Sequence, residues 1–349
     1  MSEAPGRNPK ISVICANYNH ARYLRQSIEA VLTQTYGNFE CIIVDDGSTD
    51  ESWEIIEEYA RKDPRVIAER FPQNRGVTAA FGRCAQLCSG ELLFGRASDD
   101  YLVSPDFFQE AVDALNLYPD AAGAFAASQL VRGEDDTVYG DMGYRMGFQG
   151  GVTFEPGTFT FIPKEQAREE FLAYRFFVPG SSAIWKRKLF DDLGGYDTAL
   201  GPQSDYFFNH ALPMLTGVVQ IHDFAVAMRV FPNSYSGTAG DDLFFRRHAL
   251  VEKKIRATVK ETGAMDWTVW REAIIKYRIP DIALVPPPAK VRKGIARFLE
   301  RCLRFAARKL KPFIAPMLPD LKKQESEIAR KRQHARTIFE EIVQKPDIL

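Results

Sequence analysis

Residues 11 to 52 read ISVICANYNHARYLRQSIEAVLTQTYGNFECIIVDDGSTDES. The stretch opens on a short apolar run rich in β-branched residues, crosses a polar break at "ANYNH", and then repeats Leu24, Ile28, Val31 and Leu32 at helical spacing. A second apolar run, Cys41 to Val44, stops at "DDGSTD", where Ser48 or Thr49 stands in position to cap the helix "ESWEIIEEYARK". The plan continues outward: "RVIAER" reads as a strand, "NRGVTAAFGRCAQLCSG" as a helix ended by Gly90, and "ELLFGR" as a fourth strand. Strands alternating with helices of this length predict an α/β fold, a Rossmann-like and mostly parallel sheet with helices on both faces.

Composition agrees with a globular chain of this kind. The 349 residues are 45% hydrophobic and 26% charged, outside the range of disordered or fibrous chains. No run of 18 uncharged apolar residues and no apolar leader are seen, so neither a spanning helix nor a secretory signal is expected. The five cysteines show no CxxC spacing; neither a disulfide framework nor a zinc site is expected, and a reducing cytoplasm fits best. Farther along, "SPDFFQEAVDALNLY" predicts a helix with Ser104 as cap and Pro105 in its first turn, and "AAGAFAASQLV" a strand. Residues 133 to 180 show no period and read as long loops over a site. "SSAIWKRKLFDDLGGYD" reads as strand, short helix and turn, "SDYFFNHALPML" as a helix, and "GVVQIHDFAVAMRVF" as one or two strands.

Ligands of open α/β sheets collect outside the carboxyl ends of the strands. Three polar clusters fall at such ends: "ANYNH", "DDGS" and "SDD". Together they predict a cleft lined by Asn17, Asn19, Asp45, Asp46, Asp99 and Asp100. Adjacent carboxylates repel and resist desolvation, so two such pairs point to a cation or to several hydrogen-bond donors; solvated turns are the plain alternative. Neither GxGxxG after the first strand nor GxxxxGK[ST] occurs, so any nucleotide is held without a glycine-rich phosphate cradle. A hard cation, Mg²⁺ or Mn²⁺, bridging carboxylate and diphosphate is the natural substitute.

Residues 11 to 52 together with "NRGVTAAFGRCAQLCSGELL", "SDD" and "GGYD" resemble family 2 glycosyltransferases, inverting enzymes of the GT-A fold that use nucleoside-diphosphate sugars. The resemblance is dense over residues 11 to 106, thinner at 179 to 240, and absent beyond. It implies a base pocket around Ala16, Asn17 and Tyr18, and Asp46 accepting a hydrogen bond from the base. It also implies Arg75 near the diphosphate, Asp99 near ribose or sugar, and Asp100 as metal ligand. "LGPQSDYFFN" resembles the segment carrying the general base, which makes Asp205 the candidate, with Ser204 as cap and the helix terminus holding the carboxylate ionised. "LGGYD" looks like the acceptor-side turn; Trp185, Phe176 and Phe177 either stack on a sugar or belong to the core. Two departures stand out. Ala97 occupies the place where the family often has its first metal-motif aspartate, and Phe231 the place of a metal-ligating histidine in segments like RxHPxS. His222 reads as structural.

The resemblance thus implies transfer of sugar from a nucleoside diphosphate, expected to be UDP, to a hydroxyl of a glycan or lipid-linked glycan in cell-surface polysaccharide synthesis. A nucleotide-sugar-binding scaffold with little catalysis is the alternative. The expected organisation is a catalytic domain over 1–240, with a donor half to about 106 and an acceptor half over 107–240. A helical connector over 241–284 and a basic C-terminal helical region over 285–349 follow. That last region carries 16 Lys and Arg against 7 Asp and Glu, or +9, which leaves −10 for the remainder of a chain of net charge −1. Residues 290–311 present Ile295, Phe298, Leu299, Cys302 and Phe305 near one helical face amid arginines. The face suits an anionic membrane surface at the inner side of the cell membrane, or packing against the catalytic domain or a partner in a homodimer. Nucleic acid is not an expected partner, because the body is acidic and no recognition motif occurs.

Overall fold

The computed structural model describes residues 7–142, 157–172 and 178–231, together with 251, 254 and 258. The expected connector, apart from those last three residues, and the basic C-terminal region lie outside the described residues, as do Phe176 and Phe177.

Strand β1 (Ile11–Asn17), helix α1 (Ala21–Leu32), β2 (Phe39–Asp45), α2 (Ser52–Lys62), β3 (Val66–Arg70), α3 (Val77–Leu87) and β4 (Leu92–Ala97) follow one another as strand and helix in turn. Their strands lie in the order β3-β2-β1-β4, all parallel. Every residue of β1 and β2 is buried, the mark of central parallel strands covered on both faces. On one face Val13, Cys15, Cys41 and Ile43 meet Leu24, Ile28, Ile55 and Ile56 of α1 and α2. On the other, the Tyr196 hydroxyl lies over Gly95 and its ring stacks on Phe81 of α3 with ring centroids 5.0 Å apart. Helices therefore cover both faces, as expected.

The sheet grows through strands of both directions: β5 (Tyr101–Leu102), β6 (Gly123–Arg132), β7 (Val138–Met142), β8 (Phe159–Ile162), β9 (Ala183–Lys186) and β10 (Val218–Val230). Short β9 is inserted antiparallel between β4 and β6; β10 runs parallel to β6 and carries β5 and β8 antiparallel; β7 pairs with β6. Helices α4 (Phe107–Leu117), α5 (Lys164–Leu172), α6 (Arg187–Asp192) and α7 (Ser204–Thr216) complete the described chain. The described parts of 133–180 are thus β7, β8 and α5 rather than loop alone. Mixed Gly, Phe and Thr hid two strands that exist by pairing with β6 and β10.

Two expected caps are made differently. Helix α4 starts at Phe107, not beside Ser104. Buried Gln34 explains the start: its Nε2 donates to the Ser104 carbonyl at 2.7 Å, and its Oε1 accepts the Phe108 N–H at 3.1 Å. Ser48 and Thr49 do not cap α2; Ser48 turns inward to Asp45. Asp50 takes the Ser52 N–H at 3.1 Å and, with its other oxygen, the Ala21 N–H of α1 at 3.0 Å. Against burial, those hydrogen bonds hold its carboxyl below the usual range.

At the far end of the sheet from the carboxylate turns, Glu40 ties β2 to β1 and to the turn before β4. It accepts from Lys10 Nζ at 2.6 Å, Ser12 Oγ at 2.6 Å, and the N–H and hydroxyl of Ser89 at 2.6 and 2.8 Å. Burial raises its pKa, but these donors outweigh it and bring the carboxyl down to about 2. A depressed carboxyl stabilises the fold above its unfolded value and loses that contribution as pH falls through the folded one. Glu40→Gln is expected to cost about 2–4 kcal/mol at pH 7 in urea unfolding, with the difference from the parent shrinking as pH drops from about 4.5 toward 2.

Candidate functional site

The strand order reverses at β1, since the chain lays β2 and β3 on one side and then returns to lay β4 on the other. Such a switch point opens a crevice outside the carboxyl ends of the two flanking strands. The turns after β1, β2 and β4 meet there, cross-linked side chain by side chain. Asn19, at φ 55°, accepts the Thr49 N–H at 2.8 Å and donates its own N–H to Ser48 Oγ at 2.9 Å. Asn17 Nδ2 donates to Asp45 Oδ2 at 2.9 Å, and the Ser48 N–H and hydroxyl complete the hold on Asp45 at 3.0 and 2.5 Å. Asn17 and Asp45 are therefore buried beneath the crevice rather than lining it; Tyr18 is 42% exposed at its rim, beside Ala16 at the end of β1.

Asp46 holds the third loop. Its two oxygens accept the N–H groups of Arg75 at 2.6 Å and Gly76 at 2.8 Å, just before α3. The Arg75 side chain is exposed, its guanidinium 4.6 Å from the Phe71 ring centre. Gly47, between the two loops, has φ 74°, and a β-carbon there would stand 2.7 Å from the Gln73 carbonyl carbon.

Beyond β4 the "SDD" turn is anchored on every side. Ser98 Oγ shares a 2.8 Å hydrogen bond with His20 Nδ1, which also lies 4.0 Å from Asp99 Oδ1. Asp100 is buried: its Oδ1 accepts the Arg229 N–H at 2.9 Å, its Oδ2 the Ser181 hydroxyl at 3.1 Å, and its carbonyl the Ser27 hydroxyl at 2.6 Å. Burial, then the Asp99 charge, pushes its carboxyl up, opposed by those donors. Arg96 is buried on the α1 face of β4 and donates Nη1 to the Asp100 carbonyl at 3.2 Å; its Nε and Nη2 have no partner among the described residues. It therefore lies beneath the turn and does not replace the carboxylate missing at Ala97.

Ser181 belongs to a short turn, Gly180–Ser182, that reaches Asp205 on α7. A β-carbon on Gly180 would stand 3.4 Å from Asp205 Oδ2. Asp100 and Asp205 therefore flank the same short turn, the first bonded to Ser181 and the second beside Gly180. Asp205 is exposed by surface area yet stands in a recess crowded with protein, and the crowding governs its proton: burial pushes the carboxyl up to about 6, against the hydrogen bond from the Tyr206 N–H at 2.6 Å. The helix terminus is thus outweighed in setting the pKa, and a carboxyl at about 6 is still ionised near neutrality. Ser204 does not cap α7, because its Oγ accepts the Asp197 N–H at 2.8 Å.

Trp185 is core, donating Nε1–H to Asn209 at 3.0 Å. His222 sits between Thr158 and Thr160 at 2.8 and 2.9 Å, a structural place. In "GGYD", Tyr196 is boxed by Phe81, Phe190 and Phe208. The Phe231 ring lies against Tyr23, centroids 5.6 Å apart, and against Gly133. Sequence reading missed Ser181, His20 and Arg229. Only Arg229 had a signal, as the arginine of the RxHPxS-like segment.

Comparison with known proteins adds the decisive observation: a model of "Glycosyl transferase family 2" matches residues 12–194. The chain belongs to this family. It is a glycosyltransferase, and the family's match covers the β1 to β4 turns and the Ser181 turn alike. An uncharacterised glycosyltransferase of Nostoc sp. is 36% identical over 129 residues, 37% of this chain and 39% of that protein. A glucosyl-dolichyl phosphate glucuronosyltransferase of Haloferax volcanii is 26% identical over 289 residues, 82% of this chain and 81% of that one. An Escherichia coli UDP-Glc:α-D-GlcNAc-diphosphoundecaprenol β-1,3-glucosyltransferase, WfaP, is 36% identical over 94 residues, 27% of this chain and 37% of that one. The Staphylococcus aureus TarS 1–349 structure with UDP-GlcNAc superimposes with a TM-score of 0.57 at 16% identity, covering 76% of this chain and 71% of that one. The Pyrobaculum calidifontis mannosyltransferase PcManGT, with GDP-Man and Mn²⁺, gives 0.52 at 17% identity, covering 95% and 87%. At such identity these two establish the GT-A fold. Among the described residues no helix is long and apolar enough to cross a membrane.

The loop hold on Asp46 yields a direct test. Gly47→Ala forces a left-handed non-glycine residue and drives its methyl into the Gln73 backbone; roughly 2 kcal/mol or more of stability is expected to go, read by thermal unfolding. Hydrogen exchange should show the Arg75 and Gly76 amides losing protection, and unchanged protection would refute the link.

Proposed function

We propose that this glycosyltransferase moves a sugar from UDP to a hydroxyl of a lipid-linked glycan, with inversion, using Asp205 as general base. One observation carries the reading: the Ser181 hydroxyl bonds Asp100 while its neighbour Gly180 lies beside Asp205, so the Asp99–Asp100 turn and Asp205 flank the same short turn at the switch-point crevice. The WfaP name, with its UDP-Glc donor and diphosphoundecaprenol-linked acceptor, and the dolichyl phosphate in that of the Haloferax protein support donor and acceptor class. The acceptor class favours work at the cytoplasmic face of the membrane, with residues 1–240 as the catalytic domain.

Asp46 would read the base with the acceptor capacity its two loop hydrogen bonds leave, beside Ala16 and the exposed Tyr18. Asn17 supports that pocket from below, since its carbonyl accepts the Asp46 N–H at 2.8 Å. Arg75 faces solvent near the diphosphate position, and Asp99 would meet ribose or sugar.

A divalent cation fits the donor set. Each Asp100 oxygen accepts one hydrogen bond, leaving about two of roughly four acceptor positions on the carboxylate. One or two protein carboxylates plus diphosphate oxygens suffice for Mg²⁺ or Mn²⁺, so Asp100, with Asp99 adjoining, would hold it. When bound, the cation neutralises charge on the departing diphosphate. The protein's own chemistry is at Asp205. The acceptor oxygen forms its bond to the anomeric carbon as the bond from that carbon to the diphosphate oxygen breaks, and Asp205 takes the hydroxyl proton.

A base with its pKa pushed up to about 6 is ionised near neutrality and poised for that transfer. Turnover of UDP-glucose or UDP-GlcNAc with polyprenyl-linked glycan acceptors and Mn²⁺ is expected to fall about tenfold per pH unit below about 6, and Asp205→Asn to lose on the order of 10²-fold or more in kcat. The raised carboxyl destabilises the fold as pH rises through its titration, so the variant's Tm at pH 8 should equal or exceed the parent's. An unchanged transfer rate would refute the assignment.

A further inference from the structure

Arg229 is a heavily engaged charged side chain near the crevice, and the mechanism above does not use it. Its side chain is 2% exposed, stacked between the rings of Tyr23 and Tyr101 at 4.7 and 4.8 Å. Asp136, in the turn between β6 and β7, grips it bidentately at 2.6 and 2.7 Å. Two further guanidinium N–H groups go to Gln26 Oε1 and to the Asp99 carbonyl. The residue's own main-chain N–H goes to Asp100 Oδ1. One residue therefore fixes the backbone of one carboxylate residue and the side chain of the next. The turn that delivers Asp136 is itself docked on α1, where Tyr23 Oη donates to the Gly133 carbonyl at 3.3 Å and Arg22 to that of Glu134 at 3.0 Å.

We infer that Arg229, braced by Asp136, is a positioning residue that sets the Asp99–Asp100 turn for the nucleotide diphosphate. A planar guanidinium is needed because the fork and the carbonyl bond use its in-plane N–H groups while its face is left to the rings; an ammonium offers neither fork nor stacking face. Partners one shell out from a ligand typically change affinity by about 10- to 100-fold when altered. The inference rests on the reading that this turn holds the donor.

The test is calorimetric titration of UDP with Mn²⁺ into the full chain, alongside thermal unfolding and donor KM. Arg229→Lys is expected to weaken UDP binding about tenfold at full stoichiometry, with donor KM raised in parallel, and Asp136→Asn to weaken it less, about threefold. A purely structural role would instead lower Tm and the binding-competent fraction, leaving Kd unchanged. If Arg229→Lys does not fold, Asp136→Asn, which leaves the arginine in its stack, decides alone. Wild-type uptake of UDP with unchanged Kd in the folded variants overturns this inference alone. A wild-type chain that takes up no UDP overturns the functional reading and this inference with it.

Discussion

A carboxylate buried beside a second carboxylate persists only where donors converge on it, and Asp100 is met by donors from β10, from the Gly180–Ser182 turn and, at its carbonyl, from α1 and β4. Those partners come from residues 27, 96, 181 and 229, so the site forms only when the chain's two halves are both in place. The inserted strand β9 makes this geometry available. Running antiparallel between β4 and β6, it places the turn before it at the same sheet edge as the end of β4.

The donor-side loops obey the same physics with different partners. Asp45 and Asp46 are adjacent, yet each is satisfied separately: the first by Asn17 and Ser48 below the crevice, the second by two main-chain N–H groups before α3. Alternate side-chain directions at a strand end account for the division, one carboxylate turning inward and the next toward the neighbouring loop. Gly47 is required where the chain then passes within contact of Gln73. A buried carboxylate that organises a loop still has lone pairs for a ligand, and this allows one residue to serve structure and recognition together.

The first four strands were legible because parallel central strands are written as unbroken apolar runs and the turns between them as polar clusters. β1 through β4 follow from that code. It is silent about contacts made across long sequence separation. Gln34 capping α4 from 74 residues away, Asp136 bracing Arg229 from 93 away, and Asp50 holding the start of α1 from 29 away depend on tertiary placement. β7 and β8 were likewise hidden, since short strands of mixed composition owe their existence to the partner they pair with. At Asp205 the position at a helix start was legible, whereas the protein packed around the carboxylate, which raises its pKa against the helix terminus, was not.

Ala97 and Phe231 mark two places where the chain departs from the family's usual polar residues, and the surroundings show what took their place. Phe231 fills a space bounded by Tyr23 and by Gly133, where any β-carbon would collide with its ring, so the position is built for an aromatic side chain. Two residues earlier, the Arg229 guanidinium rests on the opposite use of the same tyrosine, stacked over its ring. An apolar ring and a stacked cation share Tyr23 at the end of β10, and the Arg229 N–H that meets Asp100 lies between those two contacts and the sheet. With Ala97 offering no carboxylate, the polar character of the turn after β4 rests on Ser98, Asp99 and Asp100, each held by partners from elsewhere in the chain.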